Sequence, residues 1–153
     1  MLIPTRFRAV PTRYFGSFAR RDLVVQDDLI RYEMRSPGEH KIGVRALALT
    51  GRAGYIYPCG RGWALVVRNF CVNPSGDYVD YHTNGTLPSD AFQACNVSND
   101  SLGSFSELEY HVPAIGGSSS LRRCEDVNQV WAFRGPLAAI RRAAIVLLGR
   151  SAT

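Results

Sequence analysis

Alternating apolar and polar positions run through most of the chain and predict β-strands. Residues 29–35 place Ile30, Tyr32 and Met34 on one face and charged side chains on the other, the two-residue period of a half-buried strand. The same period recurs at 42–48. Runs rich in β-branched and aromatic residues follow at 53–57, 63–72, 91–97, 104–112 and 127–133. The turn residues at 73–76 predict a hairpin between 63–72 and 78–81.

A helical period occurs at the end of the chain. Leu137, Ile140, Ala144 and Leu147 form an apolar stripe, with Pro136 suited to the first turn and Gly149 to the stop. The predicted strands do not alternate with helices, so the pattern favours an antiparallel sheet. We therefore predict a mostly β protein, an antiparallel β-sandwich over residues 23–153 with one C-terminal helix.

Residues 1–22 have no clean period, and we predict a loosely ordered, basic N-terminal arm. Residues 1–21 contain five arginines and no acid, which accounts for the net charge of +5. The remaining chain has equal numbers of basic and acidic residues, which argues against nucleic acid as a partner of the folded body. A nucleic-acid-binding arm stays open as a weaker alternative.

The cysteines and the hydropathy narrow the class of protein further. The four cysteines are far apart, without the paired spacing of a zinc site, so we predict no metal and no cofactor. Reduced thiols and the lack of a secretory signal indicate the cytoplasm. No apolar run approaches the roughly 20 residues of a membrane-spanning helix, which indicates that membrane is not a partner.

The strand at 104–112 carries the chemistry that the sequence offers. Alternation places Leu108, Tyr110 and Val112 on a core face, and it places Phe105, Glu107, Glu109 and His111 on the opposite face. Two carboxylates and an imidazole in a row are suited to gripping sugar hydroxyls or to moving protons. The alternative interpretation is the solvent face of an edge strand, since half-buried sheets commonly place polar residues outward.

The run Glu-Leu-Glu-Tyr-His-Val-Pro-Ala at 107–114 resembles the late strand of the galactose mutarotase-like (aldose 1-epimerase) superfamily, which carries a Leu-Glu-x-Gln-x-x-Pro pattern. The segment Ala-Phe-Gln-Ala-Cys-Asn at 91–96 is similar to the strand that precedes the base in that family. Residues 66–80 and 131–148 also resemble uncharacterised bacterial relatives. The resemblance implies that this chain corresponds to the C-terminal half of a larger sandwich.

The resemblance places Glu109 on the catalytic base, which takes the proton of the anomeric hydroxyl. Glu107, His111, Arg68 and Gln93 are the substrate-binding candidates that accompany it, although Arg68 also suits a purely structural role. The implied function is carbohydrate binding with aldose 1-epimerase (isomerase) activity. The family's upstream His-x-Tyr-Phe-Asn motif, which holds its catalytic acid, does not occur here.

A non-catalytic or truncated relative, acting as a sugar-binding or structural module, is therefore the second hypothesis. A half-sandwich would leave sheet edges open, which predicts self-association into a homo-oligomer.

Overall fold

The computed structural model describes residues 1–35, 38–79, 90–116 and 121–149. Its secondary-structure elements, in chain order, are β1 (Leu2–Pro4), β2 (Thr12–Phe15), β3 (Leu23–Val25), β4 (Leu29–Tyr32), β5 (His40–Arg45), β6 (Arg52–Cys59), β7 (Gly62–Phe70), β8 (Asp90–Asn99), β9 (Gly103–Tyr110), β10 (Asn128–Gly135) and the helix α1 (Leu137–Leu148). Short 3-10 turns occupy Arg20–Asp22 and Ala46–Ala48.

The strands form two antiparallel sheets that pack face to face as an unclosed sandwich. The six-stranded sheet has the order β10-β7-β6-β1-β4-β3, and the four-stranded sheet has the order β2-β5-β8-β9. Strand pairing is antiparallel in both sheets. This architecture confirms the predicted mostly β sandwich with a C-terminal helix.

Apolar side chains from both sheets fill the space between them. The predicted face of β4 is buried, with Ile30 and Met34 fully covered and Tyr32 nearly so. Phe92 of the four-stranded sheet stacks on Phe70 of the six-stranded sheet with ring centroids 5.6 Å apart. Since the two rings come from different sheets, this contact ties the layers together at the centre of the sandwich.

The helix packs on the outer face of the six-stranded sheet. Ile140, Ala144 and Leu148 contact Leu65 and Val67 of β7. Because β7 is covered by the helix on one side and by the other sheet on its opposite side, its sequence is apolar almost without interruption. The helix begins directly after Pro136 and ends at Gly149, whose φ of 69° closes the last turn, as predicted. Within the described residues, no helix is long and apolar enough to cross a membrane.

The N-terminal segment differs from the loosely ordered arm that the sequence predicts. β1 lies inside the six-stranded sheet, between β6 and β4, and Ile3 is fully buried. Further along, Phe18 packs edge-on against the rings of Tyr32 and His40. A three-residue strand such as β1 is too short to display a period, which is why its role was not visible in the sequence.

The predicted hairpin between 63–72 and 78–81 is also wrong. The turn itself is present, with Gly76 N–H donating to Asn73 C=O at 3.0 Å. However, β7 pairs with β6 on one edge and with β10 on the other. A strand has two hydrogen-bonding edges, so no edge of β7 remains for a third partner. Residues 78 and 79 are not in a strand, and 80–81 lie outside the described residues.

Candidate functional site

The outer face of the four-stranded sheet carries a row of polar side chains from three neighbouring strands. Strand register places Glu109 directly opposite Gln93, Glu107 opposite Cys95, and Cys95 opposite Lys41. The intervening residues Ala94 and Leu108 point into the core instead, because side chains alternate along each strand. We call Lys41, Gln93, Cys95, Glu107 and Glu109 the polar row.

An ion pair crosses the polar row. Lys41 Nζ lies 3.0 Å from Glu109 Oε2, and the two side chains are 17% and 30% exposed. Partial burial strengthens such a pair, since less water competes for either charge. The contact therefore fixes one carboxylate oxygen of the predicted base.

A second carboxyl group, that of Glu107, lies beside Glu109. Glu109 Oε1 is buried and, with both glutamates ionised, has no hydrogen-bond partner among the described residues. Burial raises the pKa of Glu107, and so do the charge of Glu109 and a hydrogen bond to it, whereas Lys41 lowers it. A proton on Glu107 can therefore be donated to the Glu109 carboxylate. The two carboxyl groups form a pair that favours holding one proton.

Cys95 lies beside the carboxyl pair as an inert thiol. Its side chain is buried, and burial, together with the two glutamates, raises its pKa to about 11, against the opposing effect of Lys41. Cys95 Sγ and one oxygen from each glutamate lie within 4.8 Å of one another, a spacing that a metal ion would accept. Lys41 already places a positive charge on Glu109, so the donor set suits an ammonium partner without a metal.

A second group of polar side chains supports the polar row from β2 and β8. Tyr14 Oη donates to Asp90 Oδ2 at 2.8 Å, and Gln93 Nε2 donates to Tyr14 Oη at 3.1 Å. Gly43 makes room for them, because a Cβ there would lie 2.6 Å from the Tyr14 ring and would overlap the Asp90 carboxylate. The glycine therefore lets a tyrosine lie flat on the sheet next to the glutamates.

Arg68 and His111 reach Glu109 from the edge of the sandwich. The three residues line a shallow hollow of about 660 Å³. Arg68 extends from the other sheet, donates from Nη1 to the Leu108 carbonyl at 3.0 Å and lies 4.7 Å from the centroid of the Tyr110 ring. His111 follows β9, where its N–H donates to Ala91 C=O at 2.9 Å. Glu109 is thus one of the residues that line a shallow depression in the described part of the chain.

The structure distributes the predicted residues between two settings. Glu107, Glu109 and Gln93 lie together on the polar row, and Arg68 and His111 meet Glu109 at the hollow. Gln93 differs from its predicted role as a ligand contact, because it is fully buried and its amide is bonded to Tyr14. We assign it to positioning Tyr14. Arg68 has the structural role that was one of its two interpretations, since it bonds to the Leu108 carbonyl across the sandwich; it also lines the hollow.

Sequence reasoning missed Lys41, Cys95, Tyr14 and Asp90. Lys41 is the single lysine of the chain, which is a signal in retrospect. The alternation of β8 also puts Cys95 on the same face as Gln93. Lys41 lies close to Glu109 only because their strands, 68 residues apart in sequence, belong to the same sheet. Alternation within one strand does not specify such a pairing.

No family model, curated protein or solved structure matches the chain.

Proposed function

We propose that the polar row and its adjoining hollow bind a carbohydrate, and that Glu109 acts as the base in epimerisation at the anomeric carbon. The observation that carries the proposal is the setting of Glu109. One of its oxygens bonds to Lys41, a second carboxyl group lies beside it, and the residue lines a hollow in the described part of the chain. The resemblance of residues 107–114 to the mutarotase-like strand supports the same assignment.

The lining of the hollow suits a polyhydroxylated ligand. Arg68 offers guanidinium donors, His111 offers an imidazole, and Glu109 offers acceptor oxygens. Sugar hydroxyls both donate and accept hydrogen bonds, so they can satisfy such a mixed set. An open-ended depression also accommodates a ring whose far side remains in water.

We assign both proton transfers of the reaction to the carboxyl pair, with a sugar that extends from the hollow, which Glu109 lines, to the neighbouring Glu107. Glu109 takes the proton of the anomeric hydroxyl, the bond between the anomeric carbon and the ring oxygen breaks, and the ring oxygen takes a proton from Glu107. The open-chain aldehyde then rotates about its bond to the next carbon. On reclosure Glu107 recovers its proton from the hydroxyl that attacks, and Glu109 returns its proton to the carbonyl oxygen. Protons and electrons balance, and Glu107 supplies the acid in place of the missing histidine motif.

A non-catalytic sugar-binding or structural module is the second candidate. The full burial of Gln93 favours it, because a covered amide leaves one contact fewer for a substrate. The absence of the upstream histidine motif favours it too. The two candidates share the ligand class and differ in turnover.

Ligand titration tests the shared part of the proposal. We expect ¹⁵N-labelled protein titrated with a panel of free aldoses to show saturable shifts at Lys41, Glu109 and His111. Glu109→Gln should weaken that binding about ten-fold or more, whereas Glu125→Gln, at an exposed carboxylate, should leave it unchanged. No saturable shift with any aldose, or equal affinity in Glu109→Gln, would overturn the proposal.

A further inference from the structure

A cleft between the two sheets breaks the pattern of apolar inward-facing residues. Next to the filled core, Phe92 pairs with Tyr110 and Ala94 pairs with Leu108 across β8 and β9. Further along the same face the pairs become polar: Asn96 with Ser106 and Ser98 with Ser104. The inner faces of a sandwich are ordinarily apolar, so a change to hydroxyl and amide groups marks a different use of this end.

Aromatic side chains of the six-stranded sheet face these polar groups. Tyr55 and Tyr57 of β6 stack with ring centroids 5.2 Å apart and an interplanar angle of 25°. Together with the four polar residues they line a cleft of about 660 Å³, which we call the intersheet cleft. One wall is thus an aromatic pair whose rings cover each other on one face, and the other is a ladder of hydrogen-bonding groups.

The polar residues of the intersheet cleft differ in what they can offer a ligand. Asn96 and Ser106 already have hydrogen bonds within the protein: Asn96 Nδ2 donates to Gly38 C=O at 2.8 Å, and Ser106 Oγ lies 3.2 Å from Asn96 Oδ1 and 3.4 Å from Met34 C=O. Ser98 and Ser104 are exposed at the mouth of the cleft. Their small hydroxyl side chains suit a ligand with its own hydroxyls, which can both donate and accept there.

The charge at the rim narrows the ligand class. Arg35 is the charged residue of the described lining, and its Nε lies 3.7 Å from Glu33 Oε1. Because this neighbour offsets part of the Arg35 charge, the described lining carries little net charge with which to select an anion. An aromatic ring opposite neutral donors and acceptors matches the two surfaces of a sugar, one with C–H groups and one with hydroxyls.

We propose that the intersheet cleft is a binding site for a neutral saccharide, with a sugar ring stacked on Tyr57 and its hydroxyls bonded to Ser98 and Ser104. The cleft lies on the inner face of β8 and β9, whereas the polar row lies on their outer face. Binding in the intersheet cleft therefore does not depend on Glu109 or on turnover, and it can be tested independently of the proposed function.

The location of the shifts separates the two sites experimentally. Methyl glycosides have no free anomeric hydroxyl, so Glu109 has no proton to take from them and turnover does not interfere with the titration. We expect methyl β-glucoside or methyl β-galactoside to shift the amide resonances of Ser98, Ser104 and Tyr57 in a saturable way. Glu109→Gln, which weakens binding at the polar row, should leave the saturation of these three shifts unchanged.

Variants of Tyr57 test the stacking directly. Tyr57→Ala should weaken glycoside binding on the order of ten-fold, while Tyr57→Phe, which keeps the ring, should stay within about two-fold. Ser104→Leu should block the cleft, and thermal unfolding of each variant checks that the fold persists. The proposal is overturned if no glycoside binds, or if Tyr57→Ala binds as well as wild type.

Discussion

Lys41 Nζ lies 3.0 Å from Glu109 Oε2, although their strands are separated by β8. Two interstrand spacings amount to roughly 9.5 Å, which a lysine spans only when its chain lies across the intervening strand. Here it passes over the Cys95 position, with which Lys41 is in register. The ion pair therefore joins β5 to β9 across β8 and fixes the position of the Glu109 carboxylate.

Replacing this lysine should destabilise the protein. Lys41→Met keeps the aliphatic stem but leaves Glu109 beside Glu107 without a cation, and we expect a loss of about 1–3 kcal/mol in the free energy of unfolding. Urea denaturation at neutral pH measures the loss. Arg45→Met, at an exposed position of the same strand, is the matched control and should change stability by less than about 0.5 kcal/mol. If both substitutions lowered the free energy of unfolding equally, the ion pair between Lys41 and Glu109 would not be a specific source of stability.

Stability should depend on pH through Glu107. Its pKa is raised above its usual value of 4.5, mainly by burial and by Glu109, so the folded state holds this proton more tightly than the unfolded chain. The resulting stabilisation is fully present below about pH 4.5 and is lost as the pH rises through the raised pKa. Glu107→Gln removes the titration, so its stability relative to wild type should improve between pH 4.5 and pH 8. If the difference in the free energy of unfolding between Glu107→Gln and wild type stayed constant across that pH range, the result would contradict a proton shared by the two carboxyl groups.

Gly43 should tolerate no side chain, because the polar groups next to it have nowhere to move. In Gly43→Ala the new methyl group overlaps Asp90 and the Tyr14 ring, and we expect a loss of about 1–3 kcal/mol in the free energy of unfolding. Gly135→Ala is the control, since a Cβ at that position has no atom within 4 Å among the described residues. Thermal unfolding of both variants gives the comparison, and a neutral Gly43→Ala would mean that Tyr14 does not lie where the structure places it.

The N-terminal residues should contribute to stability as core. Ile3 is fully buried in the middle of the six-stranded sheet, so Ile3→Ala should lower the free energy of unfolding by about 2–5 kcal/mol. Val10→Ala, at an apolar residue that is 87% exposed, is the control and should be close to neutral. If residues 1–22 were a loosely ordered arm, both substitutions would be silent in chemical denaturation.

Local periodicity was sufficient to predict most elements of the fold. The alternation at Ile30, Tyr32 and Met34 lies within a few residues, and so does the apolar stripe of the helix. In the structure both apolar faces are packed against the rest of the protein. The opposite faces of Leu108 and Glu109 were predictable for the same reason. These features depend on the side-chain period of a single segment.

Features that depend on pairing between distant segments could not be predicted. The place of β1 between β6 and β4 is set by partners far along the chain, and so is the approach of Lys41 to Glu109. Gln93 was a candidate only through the family resemblance, which says nothing of its depth; its burial follows from Tyr14 lying beside it. The intersheet cleft likewise arises from two sheets that the sequence describes only as separate strands.

The rate of exchange between the α and β anomers of a free aldose tests the role of Glu109 most directly. Exchange spectroscopy by NMR measures this rate in buffer and with catalytic amounts of wild type, Glu109→Gln and Glu125→Gln. We expect acceleration by wild type and by Glu125→Gln, and the uncatalysed rate with Glu109→Gln. Acceleration that persists in Glu109→Gln, or no acceleration by wild type with any aldose that binds, would contradict the assignment of Glu109 as the base.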